Sequence, residues 1–428
     1  MNNILKGITG LGLALLLTAC GGDDGGSGGS ATTGGNAGGT GGGNAVVGQV
    51  SQGVTDSTIF IGNSIATSGA LAPVGVPFQA GLEAYLLMVN SQGGINGRTI
   101  EYIHQDDEFN PINGIAILEG LINDDRVFAI VGHFGTPVIG ATFPMLVESG
   151  IPAVYFAAGT GVVYNENATD GNGRNTFPVQ PVFPMEGRIM AAIAHGEFGA
   201  NRIGVIFTND DAGLDLIQGV NQEAANIGGM EIITAQVAPG ADDVSAAVTT
   251  IMSADVDLVI IASIQGTMPQ IARTLAAQGN TAPALTSYVN VDRVMADLVS
   301  DDIGGQYQLF GTGWVDMSSP DMNLFGEWVN QVHSDDFSQN AFAMTGWIAG
   351  HYFVEGLRRV GSDDLTWENF IAAMEMAPIR TPFGEYIDFS NGQRVGTQVM
   401  NVSVLDPSTP FGWAEFMPFR TMDDLLGN

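Results

Sequence analysis

The chain has 428 residues, of which 45% are hydrophobic, so it is long enough for two or three domains with a sizeable core. Its formal net charge is −32 although only 14% of residues are charged, and a surface of this sign repels phosphate backbones, which argues against a nucleic-acid partner. The single cysteine excludes an internal disulfide framework and a thiolate metal cluster.

The first twenty residues have the pattern of a short export signal, with Lys6 as the positive charge and 8–17 as the apolar stretch. The sequence Leu17-Thr18-Ala19-Cys20 resembles the lipobox of bacterial lipoproteins, Leu-(Ser/Thr/Ala)-(Gly/Ala)-Cys, at every position. This resemblance implies that Cys20 becomes the lipidated first residue of the mature chain. The alternative is an ordinary secretory signal with an incidental cysteine.

A glycine-rich segment follows the cysteine. Half of the residues from Gly21 to Gly48 are glycine, and most of the others are small or polar. Because such a segment has no apolar face to bury, we predict a disordered tether over 21–55. As a flexible coil it would span about 30 Å root-mean-square, enough to hold a globular body away from a membrane surface.

From Thr58 onward, short apolar runs alternate with amphipathic stretches, which is typical of an α/β fold. The first series is predicted as strand 58–66, loop 67–76, a helix from Pro77 to Gly93, strand 99–105, helix 111–123, strand 127–132, helix 138–149 and strand 151–156. The runs VFAIVG and IPAVYF are apolar throughout. Strands buried on both faces of a parallel sheet have this composition.

A Gly/Asn-rich stretch, 165–176, interrupts the alternation before a second series begins. That series is predicted as strand 202–208, helix 213–228, strand 231–237, helix 243–253, strand 257–262 and helix 269–278, with later helices near 322–334, 342–360 and 366–377. Two series of similar length predict two doubly wound parallel sheets, whose ligands bind at the carboxyl ends of the strands. Residues 165–175 carry oxygen ligands, Asp170 included, but lack EF-hand spacing, so a flexible surface insertion is favoured over a calcium site.

Several segments together resemble one family. They are the stretch 61–111 with its Asn-x-x-Gly-Gly-Ile-x-Gly pattern, VFAIVGHFGTPV, GIPAVYFAAGT, RIGVIFTNDDAGLDL, ADVDLVIIASIQG and TPFGEYIDFSNGQRVG. In this order, over about residues 57–405, they resemble the branched-chain amino-acid type of ABC-transporter solute-binding protein, which has the type I periplasmic-binding fold. The resemblance implies two lobes joined by a hinge around a ligand cleft.

The same resemblance implies three crossings between the lobes, which we place near residues 178, 314 and 383. Lobe 1 would then comprise 56–178 and 315–383. Lobe 2 would comprise 179–314 and 384–428.

The loops that follow the predicted strands carry the candidate ligand-binding residues. Backbone N–H groups at the start of the helix that follows the loop 133–137 suit a carboxylate, and Thr136 can add a hydroxyl or cap the helix. By resemblance, Ala158 and Thr160 contribute a carbonyl and a hydroxyl to the α-amino and α-carboxyl groups of the ligand. The alternative for Thr160 is that it only stabilises the turn. Ser68 lies in the Ser-Gly loop of the same family pattern.

The second lobe departs from the family at the positions that contact the ligand. Ala212 stands where the family often has a tyrosine, Tyr288 stands where an acidic residue pairs with an ammonium, and Val74 lies near the place of an aromatic. Asp210 or Asp211 can replace the missing carboxylate, or can be a solvated loop acid or a helix cap. Tyr288 can cap an apolar or aromatic ligand, or simply pack within the lobe.

These departures leave several ligands open: an amino acid, an amide, or a small organic or aromatic carboxylate. We predict capture of a small amino acid or related carboxylate by lobe closure, with delivery to the subunits of an ABC permease. The protein would be exported and lipid-anchored at the cell membrane, facing the periplasm or the cell exterior. A receptor of the same fold that acts on a membrane signalling partner is the alternative.

Enzyme activity is not expected, because the sequence has no Gly-x-Ser-x-Gly elbow, no Walker-type glycine loop and no metal-spaced histidines. No metal and no cofactor are therefore predicted. The tryptophans Trp314, Trp328, Trp347 and Trp367 occur in helical or strand contexts and are expected to belong to the core.

Overall fold

The computed structural model describes residues 49–264, 266–361 and 364–427. The predicted signal peptide with Cys20 lies outside the described residues, as does the predicted tether up to residue 48. The last residues assigned to the tether are packed against the body. The N–H of Ser51 donates to the carbonyl of Leu365 at 3.0 Å, and the Nε2 of Gln52 donates to the carbonyls of Ile122 and Val127.

The elements follow one another in the predicted alternation of strands and helices. In chain order they are β1 (Thr58–Ile65), α1 (Ala72–Ser91), β2 (Thr99–Asp106), α2 (Pro111–Asn123), β3 (Ala129–Phe134), α3 (Thr136–Ser149), β4 (Ala153–Ala157), β5 (Thr176–Phe177), α4 (Phe183–Gly196), β6 (Arg202–Thr208), α5 (Asp211–Ile227), β7 (Glu231–Val237), α6 (Ser245–Met252), β8 (Leu258–Ala262), α7 (Thr267–Ala277), β9 (Ala284–Thr286), α8 (Arg293–Ile303), β10 (Leu309–Gly313), α9 (Asp321–Val329), α10 (Ala341–Val360), α11 (Trp367–Glu375), β11 (Ile379–Arg380), β12 (Tyr386–Ile387), β13 (Val399–Leu405), β14 (Trp413–Thr421) and α12 (Met422–Leu426).

Two main sheets are present. The first has the order β2-β1-β3-β4-β5 and is parallel throughout. The second has the order β14-β13-β10-β9-β8-β6-β7, and its edge strands β13 and β14 are antiparallel. Antiparallel neighbours need only a short connection, here 406–412, so this hairpin adds to the sheet without a crossover helix. The predicted pair of parallel sheets is therefore correct for the first, while the second is mixed.

Helix α1 begins at Ala72, five residues before the predicted start, with Pro77 inside it. It packs against α10, and two glycines allow the close approach. A Cβ on Gly81 would lie 1.8 Å from the carbonyl oxygen of Ala343, and one on Gly346 would lie 1.9 Å from that of Phe78.

By length and composition, one helix among the described residues could cross a membrane. It is Gly69–Ser91, with a mean hydropathy of 1.2. Two thirds of its apolar window is buried inside the body, as expected of the core helix of a two-sheet protein.

The chain passes between the two sheets more than once. Helix α4, after β5 of the first sheet, packs on α5, which flanks the second sheet. Helices α9 and α10, after β10, return to pack on α1. The limits of the lobes at 178, 314 and 383 stay a prediction.

The stretch predicted as a flexible insertion, 165–175, is joined to α11 by ion pairs of Arg174. Arg174 contacts Asp170, Glu368 and Glu375 at 3.0, 3.1 and 2.9 Å. No cluster of three or more His, Cys, Asp or Glu side chains suited to a metal occurs among the described residues. Asp170, the acid considered for calcium, thus pairs with an arginine instead.

Candidate ligand-binding site

A cavity of about 290 Å³ lies at the carboxyl ends of strands from both sheets. This is where open parallel sheets bind ligands, and the size suits a small molecule. Its walls are formed mainly by apolar side chains, nine of which are aromatic: Phe78, Phe109, Phe134, Phe183, Tyr288, Trp314, Phe342, Phe411 and Trp413. Trp314 belongs to the buried core, as expected, and also lines this cavity. Trp347 is packed inside the core, against the rings of Tyr85 and Phe325.

The start of α3 forms the polar part of the cavity on the side of the first sheet. The cap of this helix is Gly135, with a φ of 93° and no side-chain cap, so Thr136 is the first helical residue and does not cap. Among the described residues, neither the Thr136 hydroxyl nor the N–H groups of Thr136 and Val138 have a hydrogen-bond partner. Free N–H groups at a helix start carry partial positive charge and attract anions.

At the base of the cavity, a chain of hydrogen bonds joins Tyr155, Gln180 and Tyr288. The hydroxyl of Tyr155 donates to the Oε1 of Gln180 at 3.0 Å, and the Nε2 of Gln180 donates to the hydroxyl oxygen of Tyr288 at 2.8 Å. The Tyr288 hydroxyl in turn donates to the carbonyl of Pro181 at 3.0 Å. Burial raises the pKa of Tyr288 well above its usual range. Tyr288 is therefore a neutral wall residue whose hydroxyl is already engaged.

A buried carboxyl group, Glu186, lies directly behind Tyr288. It accepts hydrogen bonds from the N–H of Tyr288 and the hydroxyl of Ser287, both at 2.8 Å, and from the hydroxyl of Thr312. Burial raises its pKa to about 7, and the hydrogen bonds only partly offset this effect. Glu186 is not part of the lining, so it holds the Tyr288 loop in place and does not contact the cavity.

The strands β13 and β14 form a wall that the sequence did not predict. Asn401 and Ser403 of β13 lie two residues apart, so both point to the same face, and Trp413 and Glu415 of β14 complete it. In VMNVSVL these two polar residues alternate with apolar ones. That alternation is the signal that could have identified a strand with one polar face toward a site.

Three of the six predicted ligand residues, Thr136, Ala158 and Tyr288, line the cavity, and so does Val74. Ser68 does not, because it is exposed before a short 3-10 turn. Neither does Thr160, whose hydroxyl accepts the N–H of Val162 at 3.5 Å.

Asp210 lies outside the lining as well. Its Oδ1 accepts from the hydroxyl of Thr208 and from the N–H of Gly213, so it caps α5, which is the alternative role considered from the sequence.

Two acidic residues do belong to the lining of the cavity. Glu415 is exposed, and Asp316 is half-buried with Oδ1 engaged by the N–H and hydroxyl of Ser318. Among its described residues the lining contains no Arg, Lys or His.

The sequence matches a known family over most of the described body. The family described as periplasmic binding protein covers residues 58–408. The Leu/Ile/Val-binding protein homolog 2 of Brucella abortus (strain 2308) is 23% identical over 333 residues, which are 78% of this chain and 86% of that protein.

Two solved structures share the fold. The fatty acid ABC transporter substrate-binding protein from Thermomonospora curvata has a TM-score of 0.76 at 18% identity, covering 89% of this chain and 96% of that chain. A branched chain amino acid ABC transporter from Thermus thermophilus with bound valine has a TM-score of 0.73 at 17% identity, covering 89% and 99%. The predicted family and fold class are thereby confirmed. The names of these proteins span two ligand chemistries, amino acids and fatty acids.

Proposed function

Because the chain belongs to the periplasmic binding protein family, we propose that it is the solute-binding component of an ABC importer. The family implies solute binding and an extracytoplasmic location. In our proposal the two lobes close on a small ligand and deliver it to the permease, with no chemical step. Cys20, lipidated, would keep the body near the membrane through the glycine-rich segment.

The ligand that fits best is a carboxylate with a large apolar body. The observation that carries this proposal is the pairing of an aromatic cavity with unpartnered donors at the start of α3, at Thr136 and Val138. Apolar walls favour an aliphatic or aromatic skeleton. The free N–H groups and the hydroxyl supply the bonds that a buried carboxylate requires.

An α-amino acid fits less well, because its ammonium group needs a carboxylate or several carbonyl acceptors once it leaves water. The residue at the family's acidic position is Tyr288, whose hydroxyl is engaged by Gln180 and Pro181. Of the two acids in the lining, Asp316 is half-buried and Glu415 is exposed, so neither is a buried carboxylate of the kind that an ammonium needs.

Replacing Thr136 tests the carboxylate end of the site. Thr136→Val keeps the shape of the side chain but removes the hydroxyl, so the affinity for the ligand should fall about tenfold while the melting temperature of the ligand-free protein stays nearly unchanged. The probes are an aliphatic and an aromatic monocarboxylate series together with leucine and valine, measured by thermal shift and then calorimetry. Mass spectrometry of the ligand that co-purifies identifies the natural member.

Thr160→Val is the matched control, because its hydroxyl faces a turn outside the cavity. It should leave the affinity within about twofold of wild type. An unchanged affinity in Thr136→Val, or tight binding of amino acids with no binding of simple carboxylates, would contradict the proposed ligand class.

A gene deletion tests transport against sensing. Deletion should abolish uptake of the ligand. Normal uptake together with a lost cellular response to the ligand would instead favour a receptor that acts on a membrane signalling partner.

A further inference from the structure

Asn401 occupies an unusual position in the wall formed by β13. It pairs with Gly313 of β10 across the antiparallel ladder. A Cβ at Gly313 would lie 2.2 Å from the Oδ1 of Asn401, so the glycine leaves the space that the amide fills. Asn401 is 7% exposed and belongs to the lining of the cavity.

The amide of Asn401 makes no hydrogen bond with any described residue, and its Oδ1 is fully buried. Buried amides are normally satisfied. Asn175, for example, donates from Nδ2 to the carbonyls of Leu146 and Ile151 at 2.8 and 2.7 Å. The other buried atoms without a partner in the described part of the chain belong to His133, Ser263, Asp292 and Arg394, none of which lines the cavity. The Oδ1 of Asn401 lies against Gly313, and its Nδ2, which is not fully buried, has no partner among the described residues. Asn401 is thus a lining residue whose unpaired amide donor can reach the cavity.

We propose that Asn401 is a specificity-determining residue, which hydrogen-bonds a neutral polar group of the ligand. This inference rests on the proposed function, and it adds a second polar anchor to the one at Thr136. Thr136 follows a strand of the first sheet and Asn401 lies in the second. A ligand that reaches both residues carries a carboxylate and a separate hydroxyl, carbonyl or amide group on an apolar skeleton.

The charge of the lining explains why this second group is neutral. A second carboxylate would find Asp316 and Glu415 in the same lining, and no cation among its described residues. At Asn401 an ammonium would meet an N–H donor, because Oδ1 is buried against Gly313, so nothing there would replace its lost hydration. A hydroxyl or carbonyl loses less hydration free energy on burial than a charged group does. The Nδ2 group of Asn401 can donate a hydrogen bond to the oxygen of either.

A site that hydrogen-bonds a ligand group also rejects the analogue that lacks the group, because the amide of the protein is then left unpaired. The test compares straight-chain carboxylates that end in a hydroxyl with those that end in a methyl group, at equal numbers of heavy atoms and over a range of lengths. Calorimetry on the wild-type protein should show about a tenfold preference for the hydroxyl member at the best length. Asn401→Leu should abolish that preference.

Stability of the ligand-free protein separates this role from a structural one. Asn401→Leu replaces an unsatisfied amide by an apolar side chain of similar size, so its melting temperature should equal or exceed that of wild type. The matched control, Asn175→Leu, removes a satisfied amide and should lower it. A similar loss of stability in Asn401→Leu would overturn the proposal, as would equal binding of both probes by wild type and variant. If the wild-type protein binds no carboxylate at all, the result contradicts the proposed ligand class itself, before the role of Asn401 is tested.

Discussion

Glu186 is a single buried residue that connects three parts of the chain. It lies in the first turn of α4 and accepts hydrogen bonds from the loop after β9 and from Thr312 near the end of β10. Its hydrogen-bond partners are hydroxyl and N–H groups, and none of them is a cation. Because these bonds only partly offset the effect of burial, the pKa of its carboxyl group is raised to about 7. Near neutral pH this group is therefore only partly ionised.

Glu186 makes a testable contribution to the pH dependence of stability. Its pKa is about 7 in the folded state and near the ordinary 4.5 in the unfolded state. The folded protein therefore binds more protons between these values, and stability is lost as the pH rises through this window. The full shift corresponds to about 3 kcal/mol. Glutamine does not titrate, so the free energy of unfolding of Glu186→Gln minus that of wild type should increase by about 1–3 kcal/mol between pH 5 and pH 8. Urea unfolding at both pH values measures this difference.

Asp292 also has a pKa raised to about 7 by burial, but it is present in both proteins, so the difference between them isolates Glu186. A difference in the free energy of unfolding that does not change with pH would contradict the assignment.

At the scale of elements, the sequence predicted the first sheet better than the second. Apolar runs such as 127–132 identify strands that are buried on both faces, and β1, β3 and β4 followed from them. Strand β9 has three residues and β5 has two, which is too short for any periodic signal. Helix α4 was missed because it follows the Gly/Asn-rich stretch and a proline-containing crossover, which resemble a continuing loop.

The sequence predicted the part of the candidate site that follows parallel strands, but not the part on the hairpin β13–β14. Thr136, Ala158 and Tyr288 follow parallel strands, and sequence order alone places such positions at one edge of a sheet. Asn401 and Trp413 belong to the hairpin β13–β14, which reaches the cavity through pairing between β13 and β10. That pairing joins residues about ninety positions apart, and no local pattern encodes it.

The 165–175 insertion and helix α11 are held together by one acid shared between two arginines. Glu375 lies 2.9 Å from Arg174 and 2.6 Å from Arg394, and the Arg394 side chain is fully buried over the ring of Phe177. Glu375→Gln leaves the buried guanidinium of Arg394 without its counter-ion. We expect a loss of about 3 kcal/mol in the free energy of unfolding.

Glu368→Gln is the matched control for this change. It removes the other helix α11 partner of Arg174, but Glu368 is 67% exposed, so the loss should be below about 0.5 kcal/mol. Chemical denaturation of both variants checks the difference. Equal effects would mean that Arg394 is not stabilised by its ion pair with Glu375.

At the scale of the whole molecule, helices that flank different sheets touch across the cleft. The N–H of Gly161, after β4, donates to the Oδ2 of Asp215 on α5 at 2.8 Å. Helices α3 and α5 are also close, since a Cβ on Gly140 would lie 3.3 Å from the Oδ2 of Asp211. These contacts join the two sides of the cavity without involving its lining, so they can stabilise closure independently of the ligand.

Removing the Asp215 acceptor should therefore shift the molecule toward an open form. Asp215→Ala deletes a hydrogen bond to a charged group that exists only when the two sides meet, and its half-buried position reduces the effect to about 1 kcal/mol, or about fivefold in ligand affinity. X-ray scattering should show a larger radius of gyration for the ligand-free variant and the wild-type value when the ligand is saturating. Asp242→Ala, which removes an equally negative but exposed side chain with no such contact, should change neither quantity. If Asp215→Ala binds ligand as tightly as wild type, closure depends on the ligand alone, because the bond between Gly161 and Asp215 would then contribute nothing to the equilibrium between open and closed forms.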